Sequence, residues 1–334
     1  MKRIDATLLS HDGNVKLFKQ DAKGQPIHEY RNDLYPYMKY TSVTTVKKHV
    51  EAEFNAESMA IRCSLNPKHN MYGIEPHEII KLWELKGQQS AMYGTQIHQH
   101  VEDFINTENW TWTGNTKEQR TVIDQFISVM SELETEDYPF QYGHLQAEDV
   151  HHMPVRSSQK INDKYITSVT IDRMSPEQTY LQLFRSDTTV RSIPKEVLSN
   201  INVNKTENIK QLLKRYLLDV GVAGSVDIKW YNKDFTKYKI FDIKTDTEIT
   251  TQSYNGKKFL KKPCNKLQEC KLNTYGLQIY MYAIIGAKMK NLKADFDNGA
   301  IIHWNKQQQS FTHIPLNDYT LYAKALLASY FDLI

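Results

Sequence analysis

Cysteine is scarce: Cys63, Cys264 and Cys270 are the three in 334 residues. That is too few for a disulfide framework, and an odd count fits a reducing compartment. No stretch approaches the ~18 consecutive apolar residues of a membrane-spanning helix. Neither sign of charge is in excess, since 42 Lys+Arg against 39 Asp+Glu leave +3, so the total does not announce a nucleic-acid partner. The opening residues, MKRIDATLLSHDGN, lack an apolar core of signal-peptide length, and Asp5 and Asp12 argue against a transit peptide. Internal repeats and low-complexity tracts are absent. These absences predict a soluble, intracellular, cytoplasmic protein without a membrane partner. What is present is aromatic and apolar: 20 Tyr, 12 Phe, 5 Trp and 40% apolar residues exclude disorder as a global description and allow one large domain or two smaller ones.

Charge is distributed unevenly. Residues 131–149 are acidic, whereas residues 257–271 carry six Lys and one Glu, so one stretch could attract cations and the other phosphates; solvated faces are the plainer account. Residues 1–40 read as short strands and turns, with Asp12-Gly13-Asn14 and Lys23-Gly24-Gln25-Pro26 as turn signals. Residues 41–150 read as helical. Ser42 can cap a helix over Val43–Phe54, Pro76 opens another through Trp83, a third begins near Gly94 with Ile97, Val101, Phe104 and Ile105 as its stripe, and a fourth covers 117–135. Residues 151–219 are polar and read as an insertion, with one alternating piece (Tyr165, Thr167, Val169, Ile171) and a stripe from Ile209 to Leu217 whose last part could equally begin a strand. Residues 220–334 supply strands over Val226–Trp230 and Lys237–Ile243, a helix over Asn273–Lys288, a hairpin from Gly299 to Ile314 and a terminal helix. The fold class expected is α/β, a small central sheet with helices before and after it.

Four pieces of this chain could carry chemistry. His98 and Glu102 stand four apart and share one side of a helix. Such a pair can supply a metal ligand and a carboxylate that orients it, or be a plain surface pair. Ala223-Gly224-Ser225-Val226-Asp227 runs into one strand, and Asp242-Ile243-Lys244-Thr245 ends the next. If these strands are antiparallel neighbours, Asp227 and Asp242 meet at one end of the sheet, where two hard carboxylates suit Mg²⁺ or Mn²⁺. Lys244 lies on the same strand face as Asp242, where an ammonium could hold an attacking water or offset charge on a phosphate. D-x-K recurs at Asp227-Ile-Lys229, and there the lysine reads as a solvent-facing strand residue. Gln278 and Tyr282, again four apart, could hydrogen-bond a nucleotide or the carboxylates, or simply belong to an amphipathic helix docked on the sheet. No G-x-S-x-G motif is present and no cysteine has a histidine partner nearby in sequence, which leaves a nucleophilic serine or cysteine hydrolase unsupported.

Taken in order, Gly94-xxx-His98-xxx-Glu102, Gly224-Ser-Val-Asp227, Asp242-Ile-Lys244-Thr245 and Gln278-xxx-Tyr282 resemble the PD-(D/E)xK nucleases of the RecB and lambda-exonuclease type. The match looks like the branch that includes the mitochondrial genome maintenance exonuclease and the Cas4 nucleases. Tyr40-Thr-Ser-Val-Thr-Thr45 and Trp83 add to the likeness, which covers roughly 40–150 and 220–290. The resemblance implies a restriction-endonuclease-like core, a mixed sheet flanked by helices with an inserted subdomain. It implies that His98, Asp227, Asp242 and the backbone carbonyl of Ile243 ligate one or two Mg²⁺ or Mn²⁺ ions, that Lys244 is the catalytic lysine, and that Glu102 orients the site. Glu148 matches an acidic position that precedes the Gly-x-x-Asp strand. Gln278 and Tyr282 would line a nucleic-acid channel; independently of the resemblance, Thr245 and the lysines at 257, 258, 261, 262 and 266, placed directly after the strand bearing Asp242, are expected as further nucleic-acid contacts. Some relatives hold an iron–sulfur cluster on four cysteines; with three here, none is expected. The activity implied is a metal-dependent DNA exonuclease of recombination, replication or end processing, acting on single-stranded or duplex ends, with a single-strand-binding or recombination protein as a conceivable partner. A structure-selective endonuclease and a non-catalytic nucleic-acid-binding scaffold are the alternatives.

Overall fold

In the computed structural model the residues described are 15–20, 26–32, 39–107, 110, 114–156, 168–175, 178–185, 188–193, 220–289, 293–295 and 299–331. The chain divides into two compact units, Met1–Ser42 with His152–Ala223, and Val43–His151 with Gly224–Ile334. Among the described residues no helix is long and apolar enough to cross a membrane.

The described residues of the first unit lie in strands. β1 (Val15–Gln20) and β2 (Pro26–Asn32) form an antiparallel pair, and β3 (Lys39–Ser42) runs parallel to residues 220–223. Within residues 151–219, three strands, Ser168–Ser175, Gln178–Arg185 and Thr188–Ile193, form an antiparallel sheet. The expected alternating strand is the first of these; Tyr165, Thr167 and the stripe from Ile209 to Leu217 lie outside the described residues.

The second unit is α/β. In chain order it holds α1 (Val43–Lys48), α2 (Ala56–Leu65), α3 (Pro76–Asn106), α4 (Lys117–Glu132), β4 (Leu145–Arg156, whose last residues pass into the first unit), β8 (Val220–Tyr231, whose first residues belong to it), β9 (Lys237–Lys244), α5 (Lys271–Met289), β10 (Lys293–Ala294), β11 (Ala300–Asn305), β12 (Ser310–Pro315) and α6 (Thr320–Tyr330); the three strands of residues 168–193 are β5 to β7. The sheet runs β12-β11-β9-β8, with β10 beside β9 and β4 beside β8. β8 and β9 are antiparallel, in register Ile228↔Phe241 to Tyr231↔Tyr238, while β11 lies parallel to β9. The sheet is therefore mixed.

Pleating explains the core. Ile228, Trp230, Phe241, Ile243, Ile302 and Trp304 turn to one face and bury against Ile97, Val101 and Phe104 of α3 and Val122, Phe126 and Met130 of α4. The start of α4 is fixed by a capping box, Thr116 accepting from the Gln119 amide while the Gln119 side chain accepts from the Thr116 amide. Except at its first and last residues β9 is buried throughout, as a strand covered on both faces must be.

Two expected boundaries change. The helices expected near Pro76 and Gly94 are one 31-residue helix. Residues 84–92 are exposed, so no core stripe continues across them and the helix persists on its own backbone hydrogen bonds. The helix expected over Val43–Phe54 ends at Lys48, where the amides of His49, Val50 and Glu51 make tighter i→i−3 bonds and the Val50 carbonyl accepts from the Lys261 amide at 2.7 Å.

Candidate metal centre

The antiparallel register of β8 and β9 sets Asp227 opposite Asp242 just past the end of their ladder, and α3 crosses there. Its approach depends on a missing side chain: a Cβ at Gly94 would come within 2.8 Å of Thr245 Oγ1. One turn on from Gly94, His98 faces the strand end, with its Nδ1 3.4 Å from Asp227 Oδ2. The same Asp227 oxygen accepts the Ile243 amide at 2.7 Å. Ligand atoms of His98, Asp227 and Glu148 all lie within 4.8 Å of one another. Glu148 is held by the Ser225 hydroxyl, which donates to its Oε2 at 2.6 Å. Its φ of +50° places a non-glycine residue in the left-handed region, a conformation that tertiary structure must impose.

The structure thus brings Glu148, rather than Asp242, into the convergent trio. The Asp242 carboxylate, buried, pairs with the Lys244 ammonium. Lys244 Nζ also stands 4.7 Å over the Tyr275 ring, and Tyr275 donates to Asp246 Oδ2 at 2.7 Å. Of Ile243, the amide faces the site through Asp227. Glu102 is half-buried one turn beyond His98 and is not in the trio. Cys63, Cys264 and Cys270 are buried free thiols.

Burial and neighbouring charge oppose each other here. Burial pushes the Asp242 carboxyl up, and despite the Lys244 ammonium its pKa stays above the ordinary value, with the like charge of Asp227 adding to the rise. Burial works the same way on Asp227, but His98 outweighs it and holds that carboxyl below the usual range. For His98, burial disfavours the charged ring and Asp227 more than compensates, leaving the pKa raised. Burial disfavours the Lys244 ammonium, and the carboxylates of Asp242 and Asp227 reverse this, so it stays charged at neutral pH.

Helix α5 packs on the other side of the strand end. Gln278 (8% exposed) and Tyr282 (4%) are buried, with the Gln278 amide donating to Tyr282 Oη at 3.0 Å and Lys47 Nζ donating to Gln278 Oε1 at 3.4 Å. The Tyr282 ring fills the space over Gly224, where a Cβ would overlap it. In this packing Tyr282 joins α5 to β8, and Gln278 joins α5 to α1 through Lys47. Lys47, from α1, escaped the sequence reading; only its place just after a Val-rich helix start could have marked it. It lies 3.7 Å from Glu51 Oε1, and burial with the nearby Lys244 charge lowers its pKa against the opposing Glu51.

One expectation is corrected outright. Lys229 is not solvent-facing: it is 2% exposed, its ammonium paired with Asp149 and lying 4.8 Å over the Tyr238 ring. Strand β8 is covered on both faces, so its outward positions have no solvent to reach. His151 completes this second network, its Nδ1 2.8 Å from the Tyr282 carbonyl and its Nε2 3.3 Å from Asp149 Oδ2. The lysines at 257, 258, 261, 262 and 266 are exposed, and Lys258 pairs with Glu269 at 3.1 Å.

No protein-family model matches this chain, and neither a curated protein nor a solved structure matches it.

Proposed function

We propose that the second unit is a metal-dependent DNA nuclease with a PD-(D/E)xK core, acting as an exonuclease. The observation that carries this reading is the meeting, where the β8–β9 ladder ends, of the His98/Glu148/Asp227 trio with the Asp242–Lys244 pair. The donor chemistry fits a divalent cation. One imidazole nitrogen and hard carboxylate oxygens suit Mg²⁺ or Mn²⁺. A carboxyl whose pKa is pushed up by burial, and further by a like-charged neighbour, is a group that a cation would return to its ionised form.

His98, Glu148 and Asp227 would hold the ion, with Asp242 adjoining. When bound, such an ion polarises the phosphodiester and lowers the cost of deprotonating the attacking water. The chain's own residues do the rest. Ser225 and the Ile243 amide fix the carboxylates of Glu148 and Asp227, so that they need not reorganise as charge develops. The Lys244 ammonium, kept charged by Asp242, holds the incoming water or a phosphoryl oxygen. The exposed lysines after β9 attract the phosphate backbone.

The test is cleavage of end-labelled linear DNA and of covalently closed circular DNA by the purified full chain with Mg²⁺ or with EDTA. The reading predicts Mg²⁺-dependent release of short products from linear DNA and an intact circle. Cutting of the circle would replace the exonuclease by an endonuclease, and no cleavage of either with Mg²⁺ or Mn²⁺ would reject hydrolysis.

A further inference from the structure

The segment between β9 and α5 is acid-free over twenty residues: from Ile249 to Gln268 there is no Asp or Glu, and there are five Lys. It is also built rather than loose. Lys258 donates its amide to Ser253 Oγ at 3.0 Å, Gly256 to the Ser253 carbonyl at 2.8 Å, and the Ser253 amide to Gln268 Oε1 at 3.1 Å. Phe259 bridges to Gln268, the Leu260 amide reaches the Leu267 carbonyl at 3.0 Å, and Leu260 and Cys264 are buried beneath. Both ends are pinned beside the candidate site. The amides of Lys271 and Leu272 bond Thr250 at 3.1 and 3.0 Å, and Lys271 Nζ lies 2.8 Å from Asp246, the residue that accepts from Tyr275 beneath Lys244.

This tied loop holds two aromatic rings in water. Tyr254 is 86% exposed and Phe259 48%. Tyr254 begins a single 3-10 turn in which Asn255 takes a φ of +58°, so the backbone accepts an uncommon conformation at the position next to the exposed ring. The exposed lysines 257, 258, 261 and 262 fall between and beside the two rings. Folding gains little from a ring as uncovered as that of Tyr254, whereas exposed rings set among ammonium groups are what an unpaired base with its phosphate recognises: stacking on the ring, charge on the backbone.

We propose that the loop over residues 254–262 is a binding surface for single-stranded DNA, with Tyr254 and Phe259 stacking on bases and Lys257, Lys258, Lys261 and Lys262 meeting phosphates. This rests on the nuclease reading and narrows its substrate to a frayed or single-stranded end. In a duplex the base faces are already stacked on one another and the rings have nothing to bind.

The experiment measures binding of a fluorescently labelled mixed-sequence single strand, and of the matching blunt duplex, to the full chain in EDTA across a salt series. Tyr254→Ala and Phe259→Ala should each weaken single-strand binding about 5- to 100-fold, leaving duplex binding and the salt slope unchanged. Tyr254→Trp should retain single-strand binding. Both rings are exposed, so the alanine variants should melt as the wild type does, and Tyr254→Trp guards against a folding defect. Wild-type single-strand affinity in both alanine variants would overturn the proposal, as would equal losses on single strand and duplex. Hydrolysis with Mg²⁺, measured alongside, separates the two claims. Ring-dependent binding without hydrolysis would reject the nuclease and keep the loop; hydrolysis with ring-independent binding would do the reverse.

Discussion

Lys229 and Lys244 sit on adjacent strands, each two residues after an aspartate and each paired with a carboxylate, Lys229 buried and Lys244 half-buried. Their surroundings give them different work. Lys244 faces the trio of potential ligands, whereas Lys229 is enclosed by Asp149 and the Tyr238 ring. Lys244→Ala should lower the rate of phosphodiester cleavage by about 10²–10³ while the fold is kept, because the Asp242 carboxyl it leaves behind, already pushed up by burial, can take up a proton. Lys229→Met should instead destabilise the fold by about 3–5 kcal/mol, because it strands the Asp149 charge in the interior; denaturant melts and single-turnover rates on both variants distinguish these outcomes. Asp149 also sets an acid limit. Burial raises its carboxyl, but His151 and Lys229 prevail and hold it well below the usual carboxylate range. Between that depressed value and the unfolded value near ~3.9 the unfolded chain binds more protons, so acid favours unfolding there. The stability advantage of wild type over Asp149→Asn should be full at neutral pH and shrink as pH falls below about 4. A constant gap across that range would show that Asp149 is not the charge that matters.

At the scale of elements, the site depends on close approaches made by glycines. Tyr282 of α5 occupies the space over Gly224 of β8, and Thr245 occupies that over Gly94 of α3. Gly224→Ala should cost about 1–3 kcal/mol by overpacking. Combined with Tyr282→Ala the loss should be less than additive, since the second change vacates the place the new methyl needs; strict additivity in a double-mutant cycle would deny the contact. These elements differ in how far the sequence disclosed them. The strands carrying Asp227 and Asp242 were legible, because short apolar runs around a polar turn leave little choice of pairing. The continuity of α3 was not, because a helix exposed over 84–92 carries no stripe. The burial of Lys229 escaped for a related reason: a lysine in a strand says nothing about whether a carboxylate waits above it. Glu148 could be placed only loosely, since its position rests on a long-range pairing of β4 with β8 and on a left-handed backbone.

For the molecule as a whole, the second unit contains every residue of the candidate centre, from His98 and Glu148 to Lys244 and Tyr282. The coarse class, a mixed sheet flanked by helices, followed from the order of helical and alternating segments. That Met1–Ser42 and His152–Ala223 belong to one unit did not, because β4 and β8 each run from one unit into the other, and a strand's sequence carries no mark where its partners change. The central claim is that this constellation hydrolyses phosphodiester bonds with a divalent cation. The most direct measurement is the Mg²⁺-dependent cleavage rate of a labelled DNA strand by wild type, Asp227→Asn and Asp242→Asn, each first shown to be folded. The account predicts cleavage by wild type that EDTA abolishes and a loss of at least about 10² in rate in each variant. Wild-type rates in folded Asp227→Asn and Asp242→Asn would contradict it.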